Sequence, residues 1–335
     1  MAARKLLAGR DMRDSTRELR AARNLQTWLR RVALSAIPIA GLAGCGNDCD
    51  RPAGPPYYDV PVQVDGGVPW ATGSQHSPGE CAPYCGASGR DVCVIVTVAG
   101  CTATTSSTVT CHIGYGMCQS PCGRMPAGWR PATLREQPSA VAAYLAGCAR
   151  LEGAAVVAFQ SLERELVAHG APACLIARAR SAQRDEARHH AAMSKLAARF
   201  GARVPAVMVE VLGVRTLIEL AVENAVEGCV RETFGAAVAI YQGQCAGDRA
   251  MRRAMRSIAI DEGEHAALGW EIDAWARTRL SRKDTARVEN ARHHARQRLL
   301  AEAQEPIAPE LTSVLGLPDA AASARLIAAL APLWS

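Results

Sequence analysis

The sequence has no Cys-x-x-Cys pair, no net charge once residues 1 to 44 are set aside, and an N-terminal apolar run of only thirteen residues, Val32 to Gly44. Each shortage excludes something. Zinc and rubredoxin-like iron centres hold thiolates paired as Cys-x-x-Cys, whereas the close pairs here are Cys81-x3-Cys85 and Cys118-x3-Cys122. The formal charge of +6 resides in residues 1 to 44, where nine Lys or Arg face three acids. The neutral remainder gives no electrostatic case for nucleic acid as a partner. A bilayer-spanning helix needs about 20 apolar residues, so the thirteen do not make a permanent span. Tyrosine is scarce as well: Tyr144 and Tyr241 alone fall within residues 139 to 280, which argues against a long tyrosyl radical path there.

Residues 1 to 44 have the layout of an export signal, a basic stretch followed by a short apolar run that ends in small residues. The end, Leu42-Ala43-Gly44-Cys45, resembles the lipobox of bacterial lipoproteins. That resemblance implies acylation of Cys45 and a lipid anchor in the bacterial cell envelope, on the periplasmic side or the cell surface. An ordinary cleaved signal, with Cys45 in a disulfide, is the alternative. Arg30-Arg31 leaves twin-arginine export open, and Met12 is a second candidate start.

The expected organisation beyond the signal is a Pro/Gly-rich tether (45–80), a Cys-rich module (81–122), a linker (123–138), a helical domain (139–280) and C-terminal helices (281–335). In an exported chain the even set Cys49, Cys81, Cys85, Cys93, Cys101, Cys111, Cys118 and Cys122 reads as four disulfides of undetermined connectivity. Val92 to Val98 and Thr102 to Cys111 read as strands, so the module is expected to be a small stapled β unit.

Four amphipathic segments come next, Ser139–Ala168, Cys174–Phe200, Arg215–Tyr241 and Asp248–Leu280, with Gly or Pro at the joins. The second and fourth each carry Glu-x-x-His, as Glu186/His189 and Glu262/His265. Three residues are nearly one helical turn, so each pair projects from one face. Those faces are apolar: Ala179, Ala182, Met193 and Leu196 in one, Met255, Ile258, Leu268 and Ile272 in the other. Ionised carboxylates are not placed on a core stripe unless paired or metal-bound, because desolvation costs several kcal/mol.

Partners at the same height in an antiparallel pair are equidistant from the connecting turn. That rule selects Glu152 opposite Glu186, about His169, and rejects Glu163. It selects Glu227 opposite Glu262, about Gln244 and Cys245, with Glu223 as the alternate. Cys148 and Cys229 read as packed thiols near the site, and Cys174 and Cys245 as not paired with each other. A basic helix, Ser281–Ala303, is solvated or membrane-facing, with His293 and His294 exposed; Asp319–Leu330 is a short helix that covers the helical domain or supports a homodimer.

Residues 139 to 280 are similar to the ferritin-like domains, the group of bacterioferritins, rubrerythrins and tRNA hydroxylases. The expected fold class is therefore mainly α, a ferritin-like four-helix bundle preceded by a small disulfide-rich β module. The resemblance implies two iron ions, with manganese as the alternative, held by Glu152, Glu186, His189, Glu227, Glu262 and His265. It also implies O2 or peroxide as co-substrate for an oxidase, peroxidase or oxygenase. Iron handling, by ferroxidase action or storage, and a metal-free interaction module remain the competing readings. In the metal-free reading the cluster is neutralised by arginines such as Arg150, Arg188, Arg231 and Arg256.

Overall fold

Helix-forming sequence after residue 139 and β-branched sequence before it separate the chain into two units, Met1–Gly41 with Pro121–Ser335, and Leu42–Ser120. The computed structural model describes residues 25–34, 36, 57–64, 66–85, 89–91, 94–117, 123–129, 137–210, 212–305 and 307–334. The signal's Cys45 and the cysteines Cys49, Cys93, Cys118 and Cys122 lie outside these.

The smaller unit is an antiparallel sheet ordered β1-β5-β4-β2, with β3 also on β4. Its strands are β1 (Tyr57–Gln63), β2 (Gln75–His76), β3 (Gly89–Asp91), β4 (Val94–Thr105) and β5 (Thr108–Met117), and α2 (Pro78–Cys85) sits between β2 and β3. β4 and β5 form a hairpin that turns at Ser106 and Ser107. The turn thus falls inside the segment expected to be one strand. Alternation places Cys101, Ala103 and Val109 inside, while the hydroxyls of Thr104 and Thr110 meet on the outer face at 2.6 Å. Cys81 of α2 is bonded to Cys101 of β4. Trp70 stacks on His76 at 3.8 Å and meets the edge of Tyr84 at 5.0 Å.

The expected tether is partly folded. β1 pairs with β5 over its whole length, and its Pro61 is tolerated because β1 is an edge strand. Among the expected disulfide cysteines, Cys85 and Cys111 lie on α2 and β5. Cys148 of the helical unit is itself disulfide-bonded, which corrects its reading as a packed thiol and takes the disulfides beyond the expected eight cysteines. Cys174, Cys229 and Cys245 are not in disulfides, so Cys174 and Cys245 are not bonded to each other, as expected.

The larger unit begins with α1 (residues 25–34) and continues with α3 (Ala140–Ala168), α4 (Ala173–Arg199), α5 (Leu217–Val226), a π-helical turn (Glu227–Arg231), α6 (Glu232–Cys245), α7 (Arg249–Arg277), α8 (Arg282–Glu302), α9 (Pro309–Leu315) and α10 (Ala320–Leu330). α3 packs along α4, α6 along α7, and α4 against α7. Ser139 Oγ accepts the Ala142 N–H to start α3; Asp248 accepts the N–H groups of Ala250 and Met251 to start α7. α3 is apolar and long enough to cross a bilayer, but its apolar window is 72% buried inside the unit.

Two features were not expected. α1 lies within the signal region, yet it packs on α7: Gln26 donates to the Ile260 carbonyl, and Leu29, Val32 and Ala33 are buried. The linker residues 123–129 are also anchored. Arg124 is buried beside Phe159 and hydrogen-bonds Asn224, and Trp129 bridges to Val209 under the Arg150 guanidinium.

Candidate metal centre

Six acidic or imidazole side chains meet inside the helical unit: Glu152 from α3, Glu186 and His189 from α4, Glu232 from α6, and Glu262 and His265 from α7. None is more than 4% exposed. They form two overlapping groups that share Glu186. One comprises Glu152, Glu186, His189 and Glu262, the other Glu186, Glu232 and His265, and the ligand atoms within each lie within 4.8 Å of one another. His189 Nδ1 is 3.2 Å from Glu262 and 3.6 Å from Glu186. His265 Nδ1 is 3.2 Å from Glu186 and 3.9 Å from Glu262.

Each imidazole is held from behind by the other motif's aspartate. His189 Nε2 lies 3.1 Å from Asp261 of α7, and His265 Nε2 lies 3.5 Å from Asp185 of α4. A carboxylate only accepts, so each Nε2 carries a hydrogen and donates it. In the neutral ring this leaves the Nδ1 lone pair facing the cluster, the arrangement in which an outer carboxylate orients a metal-binding histidine. Burial opposes the charge on Asp185, but hydrogen bonds from His265 and Arg188 hold its carboxyl below the usual range.

Hydrogen bonding within the donor set shows whether it fits a metal. Glu152 Oε2, both oxygens of Glu186, Glu232 Oε1, both oxygens of Glu262 and both Nδ1 atoms are buried without a hydrogen-bond partner. Unpaired buried polar atoms are rare because each costs about 1–3 kcal/mol, and more when charged. Eight converging on one point are what a cation would satisfy. The arginines of the metal-free reading lie on other partners: Arg188 pairs with Asp185 and Asp261, Arg231 with Glu302 and Glu227, Arg256 donates to the Gly243 carbonyl, and Arg150 to that of Ala206. Among the described residues none of these four is ion-paired with a cluster carboxylate.

Without a cation, protons fill the charge deficit. Burial and then the charge of Glu186 push the Glu152 carboxyl well up, and burial with the charge of Glu262 does the same to Glu232. Burial disfavours charge on both histidines, but His189 is raised by Asp261 and the cluster glutamates, and His265 by Asp185 and Glu186. Glu186 goes the other way: burial opposes ionisation, yet the adjacent imidazoles of His189 and His265 hold it below the usual range.

Five of the six residues expected from sequence are in the cluster, and Glu227 is not. Its carboxylate accepts the Met125 N–H at 3.2 Å and faces Arg231. The alternate, Glu223, is ion-paired with Arg124 and Arg215. Glu163, rejected from sequence, pairs with Arg180 at the surface. The correction has a simple cause. α6 runs on to Cys245 and the turn is Ala246 to Asp248, so the residue as far before the turn as Glu262 is after it is Glu232, centred on Gly247. The equidistance rule was sound and the turn was misplaced, although Asp248 as a helix cap was legible. Asp185 and Asp261 also went unremarked, although the motif repeats as Asp-Glu-x-x-His at 185–189 and 261–265.

Local packing fixes α5 and the π-helical turn against α7. A Cβ on Gly269 would lie 2.7 Å from the Gly228 backbone, so the two backbones touch where only glycines fit, and Asn224 donates to the Gly269 carbonyl at 2.8 Å. Beside the cluster the Phe159 ring lies 5.0 Å from that of His265 and begins an apolar core with Leu162, Leu220, Leu268 and Ile272. Comparison with known proteins returned no match, whether to protein families, to curated proteins or to solved structures.

Proposed function

We propose that α3, α4, α5–α6 and α7 form a ferritin-like four-helix bundle whose cluster binds two iron ions, for oxidase, peroxidase or oxygenase chemistry. In this reading Glu152, His189 and Glu262 would hold one ion, Glu232 and His265 the other, and Glu186, common to both groups, would contribute to each. The observation that carries it is the pair of overlapping donor groups with eight unpartnered atoms between them. Charge balance agrees: four carboxylates are neutralised by two dications with both histidines neutral. Carboxylate oxygens with one imidazole per ion suit iron or manganese better than thiolate-preferring metals.

Two ferrous ions in such a site supply electrons to O2 or peroxide. The chain's residues do the rest. Asp185 and Asp261 hold the Nε2 hydrogens and thereby aim both Nδ1 atoms. Phe159 and the leucines around it exclude water from the His265 side, which strengthens each charge interaction inside. Glu152 and Glu232, protonated without a cation, would have to give up those protons to hold one.

The test is anaerobic loading of the purified chain with Fe(II) followed by exposure to O2. Oxygen consumption that is lost in Glu186→Ala supports the reading; a chain that binds no iron, or that consumes oxygen equally well after the substitution, refutes it.

We further propose that the chain is exported and lipid-anchored through Cys45, on the strength of Leu42-Ala43-Gly44-Cys45. Processing there removes α1 and uncovers Ile240, Ala259 and Gly263, which border the cavity of about 280 Å³ beside Leu29. Mass spectrometry of the cell-derived protein tests this. A diacylglyceryl-modified Cys45 at the N-terminus is expected, and an intact residue 1–44 segment would overturn it.

A further inference from the structure

We infer that the outer face of α8 docks on an anionic phospholipid surface. α8 buries Val288, Ala295 and Leu299, and Arg292 turns inward to Asp273 at 2.6 Å. One side of the helix is thereby committed to the helical unit. The opposite side presents Arg282, Lys283, Arg287, His293 and His294, all exposed, with small or neutral residues between them. The acids near this face are engaged: Asp284 with Ser281 and Arg287, Glu289 with Arg277, and Glu219 of α5, which also feels the charge of Arg287, with Thr216. Arg282 and Lys283 have no ion pair among the described residues.

The charge is segregated as well as exposed. Residues 279 to 298 hold seven Lys or Arg against two acids; with Arg292 committed inward to Asp273, six cations against two acids leave a formal +4, in a chain whose sum beyond residue 44 is zero. A basic one-sided helix beside a compensating acidic remainder is an oriented surface charge, and it attracts the headgroups of a flat anionic bilayer. Two observations favour lipid over nucleic acid. The face carries no Phe, Tyr or Trp as a stacking platform for bases, and Leu300, 37% exposed, lies on the same side as Arg282 and His293. The inference does not rest on the metal reading. The proposed lipid anchor would only raise the local concentration of bilayer.

Vesicle co-sedimentation of the full chain tests it, using phosphatidylglycerol–phosphatidylcholine vesicles against phosphatidylcholine alone, with the Arg282→Gln/Lys283→Gln/Arg287→Gln variant beside the wild type. Because both proteins keep the basic residues 1–44, their difference reads α8 alone. The wild type should favour the anionic vesicles and lose binding as salt rises. The variant should bind on the order of a hundredfold more weakly, roughly fivefold per cation, with unchanged iron content and thermal melting. If the triple variant does not fold, Lys283→Gln alone is read against the fivefold expectation. Equal partition of wild type and variant overturns the inference, as does equal wild-type binding to neutral vesicles or a higher affinity for duplex DNA than for the anionic vesicles.

Discussion

The two helical hairpins that meet at the cluster supply the same parts by different routes. α3–α4 delivers Glu152 and Asp185-Glu186-x-x-His189 from two uninterrupted helices. The second hairpin delivers Glu232 and Asp261-Glu262-x-x-His265, but its first arm is broken by the π-helical turn Glu227–Arg231 immediately before Glu232. Wide turns of this kind recur at functional sites because an inserted residue re-aims the side chains beyond it. Here Glu223 and Glu227 face Arg124, Arg215 and Met125, while Glu232 faces the cluster. The halves then brace each other, Asp185 on His265 and Asp261 on His189. Equivalent chemistry therefore does not require equivalent backbone. It requires equal height about the turn and a reciprocal hydrogen bond.

The comparison can be broken in graded ways. The largest effect is expected from Glu186→Ala, which removes the donor common to both groups and should take iron from two per chain to none. Next come Glu152→Ala and Glu232→Ala, each expected to leave one ion, whereas Glu227→Ala keeps two; metal analysis of the three proteins decides between Glu232 and Glu227. Asp185→Ala and Asp261→Ala should each weaken Fe(II) binding by about 10–100-fold, and by similar amounts if the cross-brace is reciprocal. Titration with a competing chelator measures this. The smallest effect on the metal is expected from Gly228→Ala, where an added methyl meets Asn224 at 2.6 Å. Overpacking there should cost about 1–3 kcal/mol of stability by denaturant unfolding.

The pH dependence of stability should reverse with metal. In the metal-free protein Glu152, Glu232, His189 and His265 all have raised folded-state values, so folding takes up protons. Their stabilisation is complete below the unfolded-state values and is lost as pH climbs through the raised ones. Glu186, held low, works in the opposite sense but is one group against four. Iron requires ionised carboxylates and neutral imidazoles, so its binding releases protons and weakens as pH falls. Melting curves with and without chelator should therefore converge toward low pH and diverge toward high pH.

The helical half was largely legible because its signals are local and redundant. Glu-x-x-His set the face, the apolar stripe of Leu145, Ala155 and Phe159 gave the phase of Glu152, and Gly170-Ala-Pro172 marked a turn whose position was right. Glu232 was missed because the second turn, Ala246 to Asp248, was placed about two residues early, and the equidistance rule turns that shift into an error of five in the partner. The π-helical turn has no comparable local signature. The β unit was less legible for a different reason. Six prolines between residues 50 and 80 suggested a tether, and only the pairing of β1 with β5, a contact distant in sequence, shows that an edge strand accommodates Pro61.

The central claim is that one buried cluster of four glutamates and two histidines holds two metal ions. Iron analysis of the purified chain after anaerobic Fe(II) loading and desalting tests it most directly. The account predicts two irons per wild-type chain and none in Glu186→Ala; a wild type that retains no metal, or a substituted chain that still retains two, would contradict it.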